Sequence, residues 1–184
     1  MKNFIRLGVA VTFTVAILLI TTSTCASEHE SDSPKSSYHQ LLNYYFAAAR
    51  TADTEVLTEF ISAGLPINTQ DAKGYSALMF TSYYGHYQAT KLLLDKGANA
   101  CLKDNRGNTA LMAAIFKGEV RIAKLLIKAS CDADSPNNAG QTALMYASLF
   151  GREELKAILL EHGADITLED NSGNSARSLE GQPN

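Results

Sequence analysis

Asp71, Asp104, Asn137 and Asp170 stand 33 residues apart, and each is followed three positions later by a glycine: Gly74, Gly107, Gly140 and Gly173. The register does not slip. A hydroxyl-led segment comes next, as Ser76-Ala77-Leu78-Met79, Thr109-Ala110-Leu111-Met112 and Thr142-Ala143-Leu144-Met145. Gly85, Gly118 and Gly151 then recur at the same interval, ahead of Leu92-Leu93-Leu94, Leu125-Leu126-Ile127 and Ile158-Leu159-Leu160. A fixed period of this length restricts the chain to a stack of similar units, because one unit is too small to bury its own apolar face and must lean on the next.

Each piece of the period has a physical task in a turn, helix, turn, helix unit. Asp-x-x-Gly makes a tight turn in which the acid accepts bonds from nearby amides and glycine takes a positive φ. Ser or Thr then caps a short helix, and the interior glycine ends it so that the chain reverses. The second helix carries apolar residues at helical spacing, as in Ile122, Leu125, Leu126 and Leu155, Ile158, Leu159. Gly97 and Gly163 close it in the left-handed conformation, a position that Ser130 fills less well.

These residues, at this period, resemble the ankyrin repeat, whose hallmark is D-x-x-G-x-T-P-L-H, then a G-H turn, an L-L-L helix and G-A-D. Gly85-His86 and Gly163-Ala164-Asp165 match it. The resemblance implies an all-α solenoid of helical pairs with short hairpin loops. Its units would be a diverged N-terminal cap over 38–70, repeats at 71–103, 104–136 and 137–169, and a C-terminal cap over 170–184 that stops after its first helix. The hallmark proline is Ala77, Ala110 and Ala143 here, and the hallmark histidine is Met79, Met112 and Met145. Loss of that histidine removes a bond between neighbouring turns, so a less rigid array is expected.

The amino-terminal end follows different rules. Lys2 and Arg6 precede an uncharged run from Leu7 to Ile20, and Thr24-Cys25-Ala26 offers small residues for cleavage, the pattern of a secretory signal over 1–26. As a helix the run rises roughly 21 Å, short of the roughly 30 Å hydrocarbon core, so no stable membrane span is expected after processing. Lipid attachment at Cys25 is the rival, but Thr22 and Thr24 fit a lipobox poorly. Export points to the periplasm. Residues 27–37 are polar throughout and read as a flexible leader. Cleavage after Ala26 would expose Ser27-Glu28-His29, whose amine, amides and imidazole form a square-planar set suited to Cu(II) or Ni(II); the plain alternative is a solvated linker. Without residues 1–26 the chain holds 14 basic and 19 acidic side chains. That balance, with no cluster of Lys or Arg, argues against nucleic acid as a partner.

No nucleophile beside a base, no paired carboxylates and no metal-binding spacing assembles in the sequence, so neither enzyme chemistry nor a cofactor is expected. His39, His86 and His162 read as structural or solvated. Met79, Met112 and Met145 could serve as soft ligands for copper or haem, yet their repeated helix position marks them as core. Cys101 and Cys131 form an even pair suited to an oxidising compartment. Packed helices lie roughly 10 Å apart, however, and a bridge needs Cα atoms within about 7 Å, so two buried thiols are the expected state.

The resemblance also locates a binding face, at the hairpin tips and the inner side of the first helices. The corresponding residues are Ala72, Lys73, Tyr75, Tyr83 and Tyr84; Asn105, Arg106, Asn108, Phe116 and Lys117; and Asn138, Ala139, Gln141, Leu149 and Phe150. Aromatics beside Arg, Asn and Lys have the composition of an interface hot spot, and the competing reading tucks some of them between units as extra core. The expectation is a monomer that binds a protein partner. Similarity to small exported bacterial ankyrin proteins implies support of a catalase and peroxide resistance. Immunity against a delivered toxin, or carriage of a metal or haem, are the alternatives.

Overall fold

The computed structural model describes residues 34–129 and 131–180. Among them the chain forms eight helices: α1 (Pro34–Thr51), α2 (Thr54–Ser62), α3 (Ala77–Tyr83), α4 (Tyr87–Asp95), α5 (Ala110–Lys117), α6 (Val120–Ile127), α7 (Ala143–Leu149) and α8 (Glu153–Glu161). Helices α1, α3, α5 and α7 pack side by side as an inner row, and α2, α4, α6 and α8 back them as an outer row. The architecture is the all-α solenoid expected.

The local signals act as their chemistry requires. Ser76, Thr109 and Thr142 each accept from the backbone amide three residues on, at 3.3 Å, and so start α3, α5 and α7. In the finger-like hairpins ahead of them, the Asp71 and Asp104 carboxylates each accept two backbone N–H bonds at 2.8 Å. Gly107 turns at φ 80°. It has a second reason to be glycine, since a Cβ there would stand 2.7 Å from the amide nitrogen of Asn138 in the next finger.

That close approach belongs to a ladder. The Asn105 side chain donates to the carbonyl of Ala72, Asn138 to that of Asn105 and Asn171 to that of Asn138, each at 3.0 Å. Their backbone amides meanwhile donate to Lys73, Arg106 and Ala139. Neighbouring turns are therefore joined although Met stands at the hallmark histidine position. The three methionines are core: Met79 is 4% exposed, Met112 1% and Met145 1%. With Leu78, Leu93, Ile115, Ile122, Leu144, Leu155 and Leu159 they fill the space between rows. Each such side chain contributes on the order of 2 kcal/mol when buried. At the N-terminal end Tyr45 is fully buried beside Phe46 and Phe60, and burial pushes its phenol up to about 12.

Three features differ from the sequence reading. First, α1 begins at Pro34, inside the stretch read as leader; proline suits the first helical position because its missing N–H has no intrahelical partner there. Second, 176–180 forms hydrogen-bonded turns and not a helix. Ala176 and Leu179 are buried in it.

Third, Cys101 and Cys131 are bonded, with Cα atoms 5.5 Å apart, so the expectation of two buried thiols is corrected. The roughly 10 Å spacing holds for helix axes, whereas the loops after α4 and α6 come closer. Elsewhere in that loop row the Asn99 amide donates to the Asn68 side chain at 2.8 Å, and the Asp165 amide to the Asp134 side chain at 2.9 Å. Asn68, Cys101 and Asp134 occupy one repeat position, 33 residues apart. The disulfide thus takes the place of this side-chain clamp at the central junction.

Candidate functional site

Between the fingers and the inner helices lies a groove of about 420 Å³, lined by Tyr75, Met79, Phe80, Tyr83, Tyr84, Asp104, Arg106, Asn108, Thr109, Met112, Ala113, Phe116 and Tyr146. Six of the residues read from the sequence meet there: Tyr75, Tyr83, Tyr84, Arg106, Asn108 and Phe116. Their positions follow from the period, because residues 33 apart stack on one face. Tyr83 lies nearly parallel to Phe116, with centroids 6.3 Å apart, and Phe116 meets Phe150 edge-on at 5.0 Å. Tyr84 stacks on His86 at 6.1 Å. These rings are not consumed by the core: Tyr83 is 37% exposed, Tyr84 49% and Phe116 44%. Tyr75 and Phe150 are half-buried, Tyr75 against Phe80 and Phe150 against Tyr146.

The other expected residues stand apart from the lining. Lys117 places its Nζ 5.1 Å over the Tyr83 ring. Lys73 is exposed at a finger turn, and Leu149 packs against the core. Gln141 serves a polar network, accepting from the Asn137 side chain at 3.3 Å. Asn137 also donates to Asn108 Oδ1 at 2.9 Å, and the Tyr146 hydroxyl donates to that same oxygen at 3.1 Å. The Asn108 amide in turn donates to Asp104 at 3.2 Å. Asparagine stands at 137 where the other fingers have Asp71, Asp104 and Asp170, and its side-chain amide supplies a donor across the junction. Burial raises the pKa of Tyr146, so its hydroxyl keeps its proton and the donor role.

The sequence reading missed Phe80 and Tyr146, which share one repeat position with Ala113. An aromatic recurring at that position, one turn before Tyr83 and Phe150, is the signal that could have found them.

His86 and His162 are structural. His86 Nε2 donates to the Arg50 carbonyl at 2.8 Å, and His162 Nδ1 lies 2.8 Å from the Ile158 carbonyl. Arg152, in the register of His86, donates to the carbonyls of Ile115 and Phe116 at 3.3 Å each. Both side chains satisfy the open end of the preceding inner helix. Among the described residues no cluster of His, Cys, Asp or Glu could hold a metal ion, and no helix is long and apolar enough to cross a membrane. The signal segment and the Ser27, Glu28 and His29 set lie outside the described residues.

A family model described as ankyrin repeats (3 copies) matches residues 45–137 and 97–170, together more than half of the chain. The chain belongs to the ankyrin-repeat family, whose members are protein–protein interaction modules and in general not catalysts. No curated protein matches it significantly.

Proposed function

We propose that the protein is a non-catalytic docking module that works in the periplasm after export and holds a folded protein partner in its concave groove. The observation that carries the reading is the row Tyr84, Tyr83 and Phe116, large rings left open to solvent on a face where neither core nor ladder needs them. Such rings lose little conformational freedom on binding and supply most of the energy in interfaces of this kind. Export is supported by the basic start, the apolar run from Leu7 to Ile20 and the small residues before Ser27. The cystine adds to this, since such bonds persist where thiols are not kept reduced. Within this reading the partner is a catalase or another enzyme of peroxide defence, as the resemblance to small exported ankyrin proteins implies.

The test is affinity capture on the tagged mature protein in periplasmic extract, with the bound protein identified and its affinity measured by calorimetry. Tyr83→Ala combined with Phe116→Ala is expected to weaken binding at least roughly 30-fold while leaving helicity and melting temperature nearly unchanged. Equal affinity of the double variant would remove the groove from the interface.

A further inference from the structure

We infer that the groove selects an acidic polypeptide segment carrying a bulky apolar side chain. The inference rests on the docking reading above and adds the chemistry of what docks. It comes from how charge is distributed over the two rows of helices.

Every ion pair among the described residues lies away from the groove: Lys91 with Asp95, Lys124 with Glu154, and Lys156 with Glu153 and Glu180. These pairs sit on or beside α4, α6 and α8. One cation in the lining and two beside it enter none of these pairs. Arg106 lines it from a finger. Lys117 lies over the Tyr83 ring, and Arg50 over the Phe80 ring at 4.8 Å from its centroid. The one carboxylate in the lining, Asp104, is occupied by the amides of Arg106 and Asn108 and by the Asn108 side chain. Glu119 places its carboxylate against Gly85, outside the lining. A chain with a net charge of −3 therefore presents a groove whose lining holds Arg106 and an already occupied Asp104, with Lys117 and Arg50 just outside it over the lining rings of Tyr83 and Phe80.

Three separated cations around aromatic faces suit carboxylates that flank an inserted side chain. An apolar group would fill the space between Tyr83, Phe116 and the finger, while the carboxylates met Arg106 in the lining and Lys117 beside Tyr83. Charges in this arrangement set orientation and rate of encounter, and the rings supply the grip. Single-stranded nucleic acid also combines negative charge with stacking, but it needs a continuous basic track along its backbone. This face has three isolated cations, two of them resting on rings, in a chain that is acidic overall.

A random-peptide display library selected on the disulfide-bonded mature protein tests the inference. The expected result is enrichment of Asp- and Glu-rich peptides bearing Phe, Tyr, Leu or Ile. A fluorescent copy of the best peptide should bind roughly tenfold more weakly to Arg106→Glu and to Lys117→Glu, and more weakly still to Tyr83→Ala. Binding should also fall as salt rises. Enrichment of basic or uncharged peptides, with Tyr83→Ala still abolishing capture, would overturn the charge inference and leave the groove as a docking site. Peptides whose capture ignores Tyr83, Phe116 and Arg106, or a library with no enrichment over the Tyr83→Ala, Phe116→Ala double variant, would overturn the docking reading itself. Labelled oligothymidylate binding with the same dependence on Arg106 and Lys117 would assign the groove to nucleic acid instead.

Discussion

The loops that follow α2, α4, α6 and α8 meet in sequence along one edge of the stack, and they are fastened in two chemically different ways. At the outer junctions a side-chain oxygen, from Asn68 or Asp134, accepts the backbone amide of Asn99 or Asp165. At the central junction the same repeat position holds Cys101, and the fastening is a covalent bond to Cys131. The outer joints are hydrogen bonds between exposed groups, each open to competition from water. The central joint does not exchange with water, and it closes a loop between residues 30 apart in sequence. The centre of the stack is thus held more firmly than its ends, and the groove spans that centre.

The largest expected effect comes from breaking the central joint. Replacing Cys101 and Cys131 together by serine, or reducing them, should lower stability by about 3.5 kcal/mol on the loop-entropy relation. Urea denaturation with and without reductant measures it, and a loss under about 1 kcal/mol would show that the central joint is no firmer than the others. Next comes Asn137→Asp, which removes the donor facing Asn108 and sets a carboxylate against its oxygen. A loss of about 2 kcal/mol is expected, because the new carboxylate lies against the half-buried Asn108 oxygen, which keeps only the Tyr146 hydroxyl as donor. Asn137→Ala should cost no more than that, since it sets no charge against Asn108. Smallest are Asn68→Ala and Asp134→Ala, each expected to cost about 1 kcal/mol, read as a shift in the urea midpoint. Cys101→Asn combined with Cys131→Ala would sharpen the contrast by building the outer type of joint at the centre, recovering about that amount relative to the serine pair.

Much of this was legible in the sequence, for a physical reason. Turn, cap and helix end are local problems, and Asp104, Gly107, Thr109 and Gly118 solve them within a few residues of chain, so their spacing carries the fold. The exposed row from Tyr83 to Phe116 was legible for the same reason, since the period fixes which positions face outward. The disulfide was not, because helix spacing was applied to loops. The contacts there run between residues about 30 apart in sequence, as from Asn68 to Asn99, and not between residues a full period apart. The start of α1 was lost because Ser and Pro suggested an unstructured stretch, whereas Pro34 opens a helix whose later residues Tyr45 and Phe46 are buried. Tyr146 was hidden for another reason: its role depends on Asn108 and Asn137, partners in two different units.

The asparagine ladder along the fingers has a bearing on how such a chain changes in length. Each rung is made by an asparagine at the same place in the units that start at 104, 137 and 170, so one of those blocks duplicated in whole periods would bring its coupling with it. The cystine has no such generality. It needs two different positions in two particular neighbours, and so marks one joint as individual in an otherwise interchangeable series.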